Sequence, residues 1–458
     1  MLQAVASPLD SLANPATSKA KICTMNTCFD TSKCAAGPVF YVYGGNLTAT
    51  CSKSTRPKHL WPAQCMLYTI MKEFPTTTDP AQACFFIPGF DTGCTQHSCF
   101  DRGDFEAHRV SMEQLLQALP EWHGDVAGHG GQNFLLLDYN FDKEWLGYDA
   151  GAAMVMRSAW ENHTYRSNFD IQLPPMHQGM ITYSPATVSL SDTSHDDAAT
   201  FIAIGEKALT RPLLLFFSGI VFPAPYFFAF GRNTVVSDLM VLRRPDIVLE
   251  AKCAFRWKKG DSQLKLFPHC YDCNWGTRAW PDGSTDYCGS GVTTEMNYTL
   301  GITSARFVLA PRGMGSLSYQ LIEAIGADCV PVMTGDKAVM PFDGEGRLGR
   351  LWEQCIVLVP ESDASQIPDL LKAVTPLEYG KRLTACRTLL LDMQTNTLGG
   401  IMKQGLCTIV ARVARQLLTS LPDTSSASAS PDAITSMVTQ GLGKAWSTVW
   451  ANCGSLIM

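Results

Sequence analysis

The stretch 297–342, NYTLGITSARFVLAPRGMGSLSYQLIEAIGADCVPVMTGDKAVMPF, decides the fold. Residues 306–310 are mainly aromatic and aliphatic and end at Pro311, which is typical of a buried strand that stops where a loop begins. The glycine-containing turn 311–316 leads into a helix, and a second apolar run at 330–333 predicts the next strand. The stretch is therefore predicted to fold as strand, turn, helix and strand.

The predicted helix has an apolar stripe on one side and a polar flank on the other. Leu317, Leu321, Ala324 and Ile325 fall on the stripe at about 100° per residue, and Gly326 is placed to cap the helix. The flank carries Ser316, Gln320 and Glu323.

Glycines, an arginine and a helix N-terminus come together at this turn, so its backbone N–H groups and Arg312 could bind a diphosphate. Glu323 would then accept hydrogen bonds from sugar hydroxyls beside that diphosphate. The alternative is an ordinary crossover with a solvated loop, because the spacing is not G-x-G-x-x-G.

The composition of the chain indicates its class and its number of domains. The chain has 458 residues, of which 46% are hydrophobic and 17% charged, which is ordinary for a globular protein of two or three domains. A net charge of −6 argues against binding to nucleic acid.

Cysteines and glycosylation sequons indicate an oxidising compartment. There are 17 cysteines, and Asn46, Asn162 and Asn297 each begin an N-x-T sequon. Cys270 and Cys273 have the C-x-x-C spacing of some zinc sites, but no second pair of suitable spacing accompanies them, so disulfides are favoured.

Two segments are relevant to whether the sequence contains a membrane-spanning or signal segment. Residues 1–22 show no continuous apolar core, so no signal peptide or anchor is predicted there. Residues 213–230 carry no charge over 18 positions, long enough to span a bilayer. Because Gly219, Pro223 and Pro225 interrupt this run, a buried strand at 213–217 followed by an aromatic loop explains it better.

Further strand and helix patterns lie on both sides of a polar segment, 189–199. Strands are predicted at 39–43, 85–88, 213–217, 246–250 and 352–359, and 129–137 is predicted to be a loop that enters a buried strand. Helices are predicted at 65–70, 111–119, from 231 onward, and over most of 368–418. Strands that alternate with helices predict α/β domains with parallel sheets.

Several motifs resemble those of the exostosin-type glycosyltransferases. In the central stretch these are 307–313 (F-V-L-A-P-R-G), Ser318, 323–325 (E-A-I), 329–332 (C-V-P-V) and 341–342 (P-F). Weaker matches are 79–88 and 130–137, with the resemblance covering about 38–418. Gln320 stands where the family usually has arginine, and 218–221 replaces the family's basic residues after the F-x-G strand.

The resemblance implies a GT-B-like α/β fold, with two Rossmann-like domains facing across a cleft. The predicted parts are a cysteine-containing segment (1–37), an acceptor-side domain (38–200), a nucleotide-sugar-binding domain (201–420), and a Ser/Ala/Pro linker with a tail (421–458).

Glycosyl transfer needs cations for the leaving diphosphate and a base for the acceptor hydroxyl. Arg312, at the start of the helix, and Arg232, in a segment that resembles the family's T-R-N, would neutralise the diphosphate. Asp91 directly follows the strand 85–88, where side chains of an open α/β sheet reach the crevice, and would act as the base. For Asp91 the alternative is a turn cap, and His129 and His195 are other candidate bases. Asp336 would bind donor sugar hydroxyls, unless it only forms a turn. The full set of donor-binding candidates is Arg232, Arg312, Gly313, Gly315, Ser318, Gln320, Glu323 and Asp336.

Three functional hypotheses follow, of which the third, a cysteine-rich extracellular binding protein, requires the strand–helix–strand pattern to be accidental. The first is an inverting glycosyltransferase that moves a sugar from a nucleotide sugar, with uridine diphosphate favoured, to a glycan or glycoprotein acceptor, without a metal or other cofactor. The second is a catalytically silent glycan-binding or complex-forming relative, motivated by Gln320 and the missing basic residues. The resemblance implies the Golgi or endoplasmic reticulum lumen and an N-terminal membrane anchor absent from this sequence. It leaves open homo- or hetero-oligomerisation with a related glycosyltransferase.

Overall fold

The chain forms two compact α/β units. The computed structural model describes residues 23–43, 72–90, 92, 105–123, 130–138, 148–158, 160, 164–175, 197–221, 229–254, 267, 287–288, 297–313, 317–336, 338–394, 397–419 and 444–457. Unit 1 comprises Met1–Leu173 and Ile401–Met458, and unit 2 comprises Pro174–Gly400.

Unit 1 is built on short parallel strands. Its elements are α1 (Met25–Cys28), β1 (Phe40–Val42), β2 (Thr76–Thr77), β3 (Phe85–Ile87), α2 (Phe105–Gln117), β4 (Leu135–Asp138), β5 (Met154–Arg157) and β6 (Ile171–Gln172). Strands pair in the orders β2-β1-β3 and β4-β5-β6, and one parallel bridge joins Phe86 to Phe134 between them. Strands β3 to β6 are buried at every residue, as expected for a parallel sheet covered on both faces.

An ion pair lies in the interior of unit 1. Arg166 donates through Nε to Asp170 Oδ2 at 2.7 Å and through Nη2 to Asp170 Oδ1 at 2.7 Å. Asp170 also accepts from the backbone N–H of Val155 at 2.9 Å, while Arg166 donates to the carbonyl of Ala153 at 2.6 Å. The pair therefore joins the segment before β6 to β5.

Disulfides join the N-terminal segment to the rest of unit 1. Cys23 is bonded to Cys28, and Cys34 is bonded to Cys84 directly before β3. The cysteines of the predicted segment 1–37 thus form structural disulfides.

Unit 2 contains a six-stranded sheet. Its elements are α3 (Ala198–Leu209), β7 (Leu213–Val221), α4 (Ala229–Val241), β8 (Ile247–Ala254), β9 (Tyr287–Cys288), α5 (Tyr298–Ser304), β10 (Ala305–Pro311), α6 (Gln320–Gly326), β11 (Val330–Thr334), α7 (Gly346–Cys355), β12 (Val357–Val359), α8 (Ile367–Ala373) and α9 (Pro376–Gln394). The strand order is β12-β11-β10-β7-β8-β9. Only β9 among these strands runs antiparallel.

Alternating side chains of the central strands supply two apolar layers. On one face Phe217 and Leu309 pack in a large cluster with residues of α4, α8 and α9. On the other face Phe216 and Val308 pack with Ile302 of α5 and with α6. The α/β fold class predicted from the sequence is therefore confirmed.

The central stretch folds as predicted, with shifted helix ends. Strands β10 and β11 flank α6, but the helix begins at Gln320 rather than near Ser316. Gly326 lies inside the helix, and the turn after it uses Asp328, which has a φ of 60°. Aspartate tolerates this left-handed backbone better than most residues, so the expected glycine cap is not needed.

The predicted strand at 352–359 is wrong over its first half. Residues up to Cys355 belong to α7, and only Val357–Val359 form a strand. Leu348, Trp352 and Cys355 are buried at i, i+4 and i+7, so helical periodicity governs this segment.

The C-terminal segment packs in unit 1. Helices α10 (Thr397–Thr419) and α11 (Lys444–Ile457) are joined by a disulfide between Cys407 and Cys453. Arg412 of α10 donates to the carbonyl of Asp170, and Trp446 of α11 donates to that of Cys34. The predicted second domain ran to residue 420 with a tail behind it, because no local pattern indicates which sheet a helix will cover.

The uncharged run at 213–230 begins with strand β7. Among the described residues, no helix combines the length and apolar character needed to cross a bilayer.

We expect at least one disulfide among Cys253, Cys270, Cys273 and Cys288. Cys253 is disulfide-bonded, and its register partner across β8 and β9 is Cys288, while Cys270 and Cys273 lie outside the described residues. Mass spectrometry of non-reduced peptides should recover a crosslinked peptide containing Cys253. Losing such a bridge typically costs about 2–5 kcal/mol. Four free thiols would contradict both this bond and the lumenal hypothesis.

Candidate functional site

The sheet of unit 2 has a topological switch point between β7 and β10. From β7 the chain proceeds to β8 on one side, whereas from β10 it proceeds to β11 on the other. In open parallel sheets, ligands bind in the crevice outside the carboxyl ends of the two strands at such a point. Most of the predicted donor-binding residues lie at this edge.

Arg232, in the first turn of α4, connects the ends of both central strands. Its Nη1 donates to the carbonyl of Ile220 at 3.1 Å, and its Nε donates to that of Arg312 at 2.8 Å. Burial lowers the pKa of Arg232 to about 10, so the guanidinium is charged at neutral pH. The structure thus shows Arg232 bound to backbone carbonyls, and its predicted role toward a diphosphate stays a prediction.

Arg312 follows β10 and lies next to a carboxylate that sequence reasoning missed. Its Nε is 3.2 Å from Oε1 of Glu361, and both side chains are largely buried, with 13% and 20% exposed. The backbone N–H of Arg312 donates to the carbonyl of Thr334 at the end of β11. A side chain at Gly231, in the first turn of α4, would overlap the Glu361 carboxylate, which packs directly against that turn.

Asp336 binds the same segment as Glu361. Its Oδ1 accepts from the backbone N–H of Glu361 at 2.8 Å. Asp336 therefore joins the turn after β11 to the segment after β12. Its predicted contact with donor hydroxyls stays a prediction.

Gln320 and Ser218 form a buried polar floor at the end of β7. Gln320 Nε2 donates to the carbonyl of Ser218 at 2.8 Å, and only 6% of Gln320 is exposed. Within the described part of the chain, Gln320 Oε1 and Ser218 Oγ are buried without a hydrogen-bond partner, as is Thr334 Oγ1 at the end of β11. Buried polar atoms are normally satisfied, so the neighbouring atoms of Gln320 and Ser218 indicate a ligand or ordered water.

Glu323 is half-buried on α6 beside the same floor. Its Oε2 accepts a hydrogen bond from the hydroxyl of Tyr298, the first residue of α5. Burial raises the pKa of Glu323, while the Tyr298 hydroxyl and the positive charge of Lys252 act in the opposite direction. The carboxylate is therefore oriented by a neighbouring helix rather than lying on a solvated flank as the sequence pattern indicated.

The other predicted site residues either lie near the start of α6 and the end of β10 or fall outside the described residues. Ser318 is buried, and its Oγ accepts from the backbone N–H of Gln320, so it stabilises the start of α6. Gly313 lies beside Arg312 directly after β10. Asp91, Gly315, His129 and His195 lie outside the described residues.

Sequence reasoning did not identify Tyr298, Lys252 or Glu361. Tyr298 directly follows Asn297, whose side chain caps α5, and that capping signal was readable. Lys252 and Glu361 each lie near the carboxyl end of a parallel strand, the edge where ligands bind. Their positions near strand ends could be read from the sequence. The sequence does not show which of the many residues at strand ends lie close together in the fold.

A model of the exostosin GT47 domain matches residues 34–374, which is most of the chain. The chain belongs to the exostosin GT47 family. It therefore carries an exostosin-family glycosyltransferase domain, as its sequence motifs predicted.

Curated exostosins are distant relatives of this family member. The exostosin-1 homolog of Caenorhabditis elegans is 24% identical over 375 residues, which cover 80% of this chain and 83% of that protein. Exostosin-1 of Drosophila melanogaster is 24% identical over 359 residues, covering 77% of this chain but only 40% of that protein. Exostosin-1 of Bos taurus is 25% identical over 374 residues, covering 79% and 41% respectively.

Solved structures resemble this exostosin domain only weakly. An α,α-trehalose-phosphate synthase (UDP-forming) from Burkholderia vietnamiensis matches 84% of this chain and 99% of its own, with 10% identity and a TM-score of 0.30. A UDP-N-acetylglucosamine 2-epimerase matches 76% and 90%, with 10% identity and a TM-score of 0.25.

Proposed function

We propose that this protein is an inverting glycosyltransferase that uses a nucleotide sugar, with a uridine diphosphate sugar favoured, and a glycan or glycoprotein acceptor. The observation that carries the proposal is the pair of buried, unpartnered polar atoms of Gln320 and Ser218, one helical turn before Glu323, in a chain of a glycosyltransferase family. A nucleotide sugar offers ribose hydroxyls and a diphosphate, which match acceptor oxygens and a guanidinium respectively.

Glu323 is the proposed ribose ligand and Arg312 the proposed leaving-group cation. In the inverting step the acceptor oxygen attacks the anomeric carbon, the bond from that carbon to the phosphate oxygen breaks, and the diphosphate leaves with the electron pair. The ion pair with Glu361 holds one edge of the Arg312 guanidinium in place. A fixed charge near the departing diphosphate stabilises the transition state because it need not reorganise during the reaction.

The base that accepts the proton of the acceptor hydroxyl is proposed to be Asp91. This assignment rests on its position after β3, where side chains of an open α/β sheet reach the ligand crevice. Substituting Asp91 with asparagine should remove transfer while leaving nucleotide binding unchanged, which isothermal calorimetry and an acceptor assay can measure separately.

The proposed reaction needs no metal. Arg312 and Arg232 would neutralise the leaving diphosphate in place of a metal ion. The proposal rests on cationic side chains in that role, and its test is transfer activity in excess chelator. Loss of activity that Mg²⁺ or Mn²⁺ restores would contradict it.

The proposed compartment is the lumen of the Golgi or endoplasmic reticulum. The disulfides Cys355–Cys386 and Cys407–Cys453, with the two in the N-terminal segment, are consistent with an oxidising environment. Assembly with itself or with a related glycosyltransferase stays a proposal that sedimentation can test.

A second candidate function is that of a catalytically silent, glycan-binding relative. Gln320 favours it, because this neutral side chain binds the carbonyl of Ser218 and supplies no positive charge to the crevice. Incubation with a panel of nucleotide sugars without acceptor separates the candidates. Slow hydrolysis of one donor supports the enzyme, whereas glycan binding without binding or hydrolysis of any nucleotide sugar supports the silent relative.

Glu323→Gln is expected to weaken binding of uridine diphosphate by about 1.5–3 kcal/mol, because each hydrogen bond from a ribose hydroxyl to a charged acceptor is lost or weakened. Isothermal calorimetry measures this change. The fold should persist, since glutamine can still accept from Tyr298.

The same variant should be at least as stable as the wild type at neutral pH. Burial raises the pKa of Glu323 in the folded protein above its value in the unfolded chain. Stability is therefore lost as the pH rises from the pKa of the unfolded chain through that of the folded protein, because the buried carboxylate becomes ionised. Below the unfolded pKa this difference should vanish. For the binding prediction, an unchanged affinity of Glu323→Gln for uridine diphosphate would show that Glu323 is only a structural residue of the helix.

A further inference from the structure

Lys252 lies on the same face of the sheet as Glu323. Along β8, Val248 packs against the apolar layer under α5 and α6, so Glu250 and Lys252 point to that face at i+2 and i+4. Lys252 is paired in register with Ile220 and Glu250 with Ser218, which places both beside the polar floor at the end of β7.

Within the described ranges, two groups that act on the Glu323 carboxylate come from neighbouring elements. The Tyr298 hydroxyl donates to the carboxylate from α5, and the Lys252 ammonium acts on it from β8. On the same helix, Gln320 is neutral and its amide nitrogen is engaged with the carbonyl of Ser218. Glu250 adds a second carboxylate on the sheet and is itself only 5% exposed. Among the described residues, Lys252 is therefore the cation that acts on the Glu323 carboxylate.

An ionised carboxylate accepts hydrogen bonds from a ribose diol through both oxygens, and these bonds are stronger than those to a protonated carboxyl group. Desolvation opposes that ionisation, and a nearby cation favours it. We propose that Lys252 is a positioning residue for Glu323, whose ammonium keeps the carboxylate in the accepting form that binds the ribose of the donor. This inference rests on the proposed function. In it, Lys252 on β8 supplies the positive charge that α6 lacks, because Gln320 is neutral.

The test is the pH dependence of uridine diphosphate binding, measured by calorimetry from about pH 5 to pH 8. In the unaltered protein the affinity should fall on acidification, as Glu323 becomes protonated. In Lys252→Met the midpoint of this fall should move up by about one pH unit, which is about a 10-fold loss of affinity on the acid side. Lys252→Arg should restore the profile, since it retains the charge.

Three further variants make the experiment specific. Tyr298→Phe removes the other group that favours the ionised carboxylate and should also raise the midpoint. Glu323→Gln should remove the Glu323 contribution and leave only the pH dependence of the terminal phosphate of uridine diphosphate, whose second pKa is about 6 and which all variants share. Lys207→Met is the matched control, since Lys207 is exposed on α3, and its profile should not move.

Proton release gives an independent readout. If binding requires the ionised carboxylate, Lys252→Met must release more protons on binding than the unaltered protein at the same pH. Calorimetry in two buffers of different ionisation enthalpy counts them, and thermal melting shows that each variant is folded.

An unmoved midpoint in Lys252→Met, with or without a uniform loss of affinity, overturns the inference. A direct phosphate contact would give such a uniform loss. If the unaltered protein binds no uridine diphosphate at any pH, the proposed function fails together with this inference, so the two failures are distinguishable.

Discussion

Arg312→Ala is expected to lower the turnover number by about 10²–10³-fold, the usual effect of removing one preorganised electrostatic contact from a transition state. The donor KM should change much less, because negative charge accumulates on the diphosphate only as the glycosidic bond breaks. Steady-state kinetics with the donor varied at saturating acceptor measures both quantities.

The ion pair with Glu361 makes the Arg312 prediction more specific. Arg312→Lys keeps the charge but loses the planar fork, so its turnover should fall between those of the wild type and Arg312→Ala. Glu361→Gln should also lower turnover, because the Nε edge of the guanidinium would no longer be held by a charge at 3.2 Å. Lys381→Ala, which removes an exposed cation of α9, is the control and should have no effect.

Two outcomes would contradict the assignment of Arg312. A large rise in donor KM with kcat unchanged would mean that Arg312 binds substrate and transition state equally. No change in either constant would place the diphosphate elsewhere. Arg232 is the next residue to test, although its alanine variant should also destabilise unit 2, because the side chain binds the carbonyls of Ile220 and Arg312.

Asp170→Ala is expected to destabilise unit 1 by about 3–5 kcal/mol, the cost of leaving one partner of a buried ion pair uncompensated. Arg166 is only 4% exposed and Asp170 is fully buried, so water cannot replace the lost carboxylate. The same substitution also leaves the N–H of Val155 without its acceptor. Chemical denaturation followed by fluorescence measures the change in the free energy of unfolding.

The matched control for Asp170 is an exposed pair with the same sequence spacing. Glu378 and Arg382 are also at i and i+4, and their side chains are 48% and 25% exposed. Glu378→Ala should cost no more than about 1 kcal/mol, as exposed ion pairs generally do. Similar losses in the two variants would show that burial does not set the strength of the Arg166–Asp170 pair.

The sequence by itself determined the strand–helix–strand unit from β10 to β11 and, through its motifs, the exostosin GT47 family. These features depend on alternation, breakers and spacing within some 35 residues, which act before any distant segment is in place. The α/β class followed in the same way, because strands that alternate with helices have few other ways to bury their apolar faces.

Only the tertiary structure decided what the site residues contact. Arg312 pairs with a carboxylate 49 positions away, and Glu323 accepts from a tyrosine 25 positions before it. Likewise, the position of α10 and α11 in unit 1 rests on contacts such as Arg412 with the carbonyl of Asp170. The Arg312–Glu361 pair forms because parallel strands bring their carboxyl ends to one edge. The other contacts join helices to distant segments, and no local periodicity encodes which side chains meet.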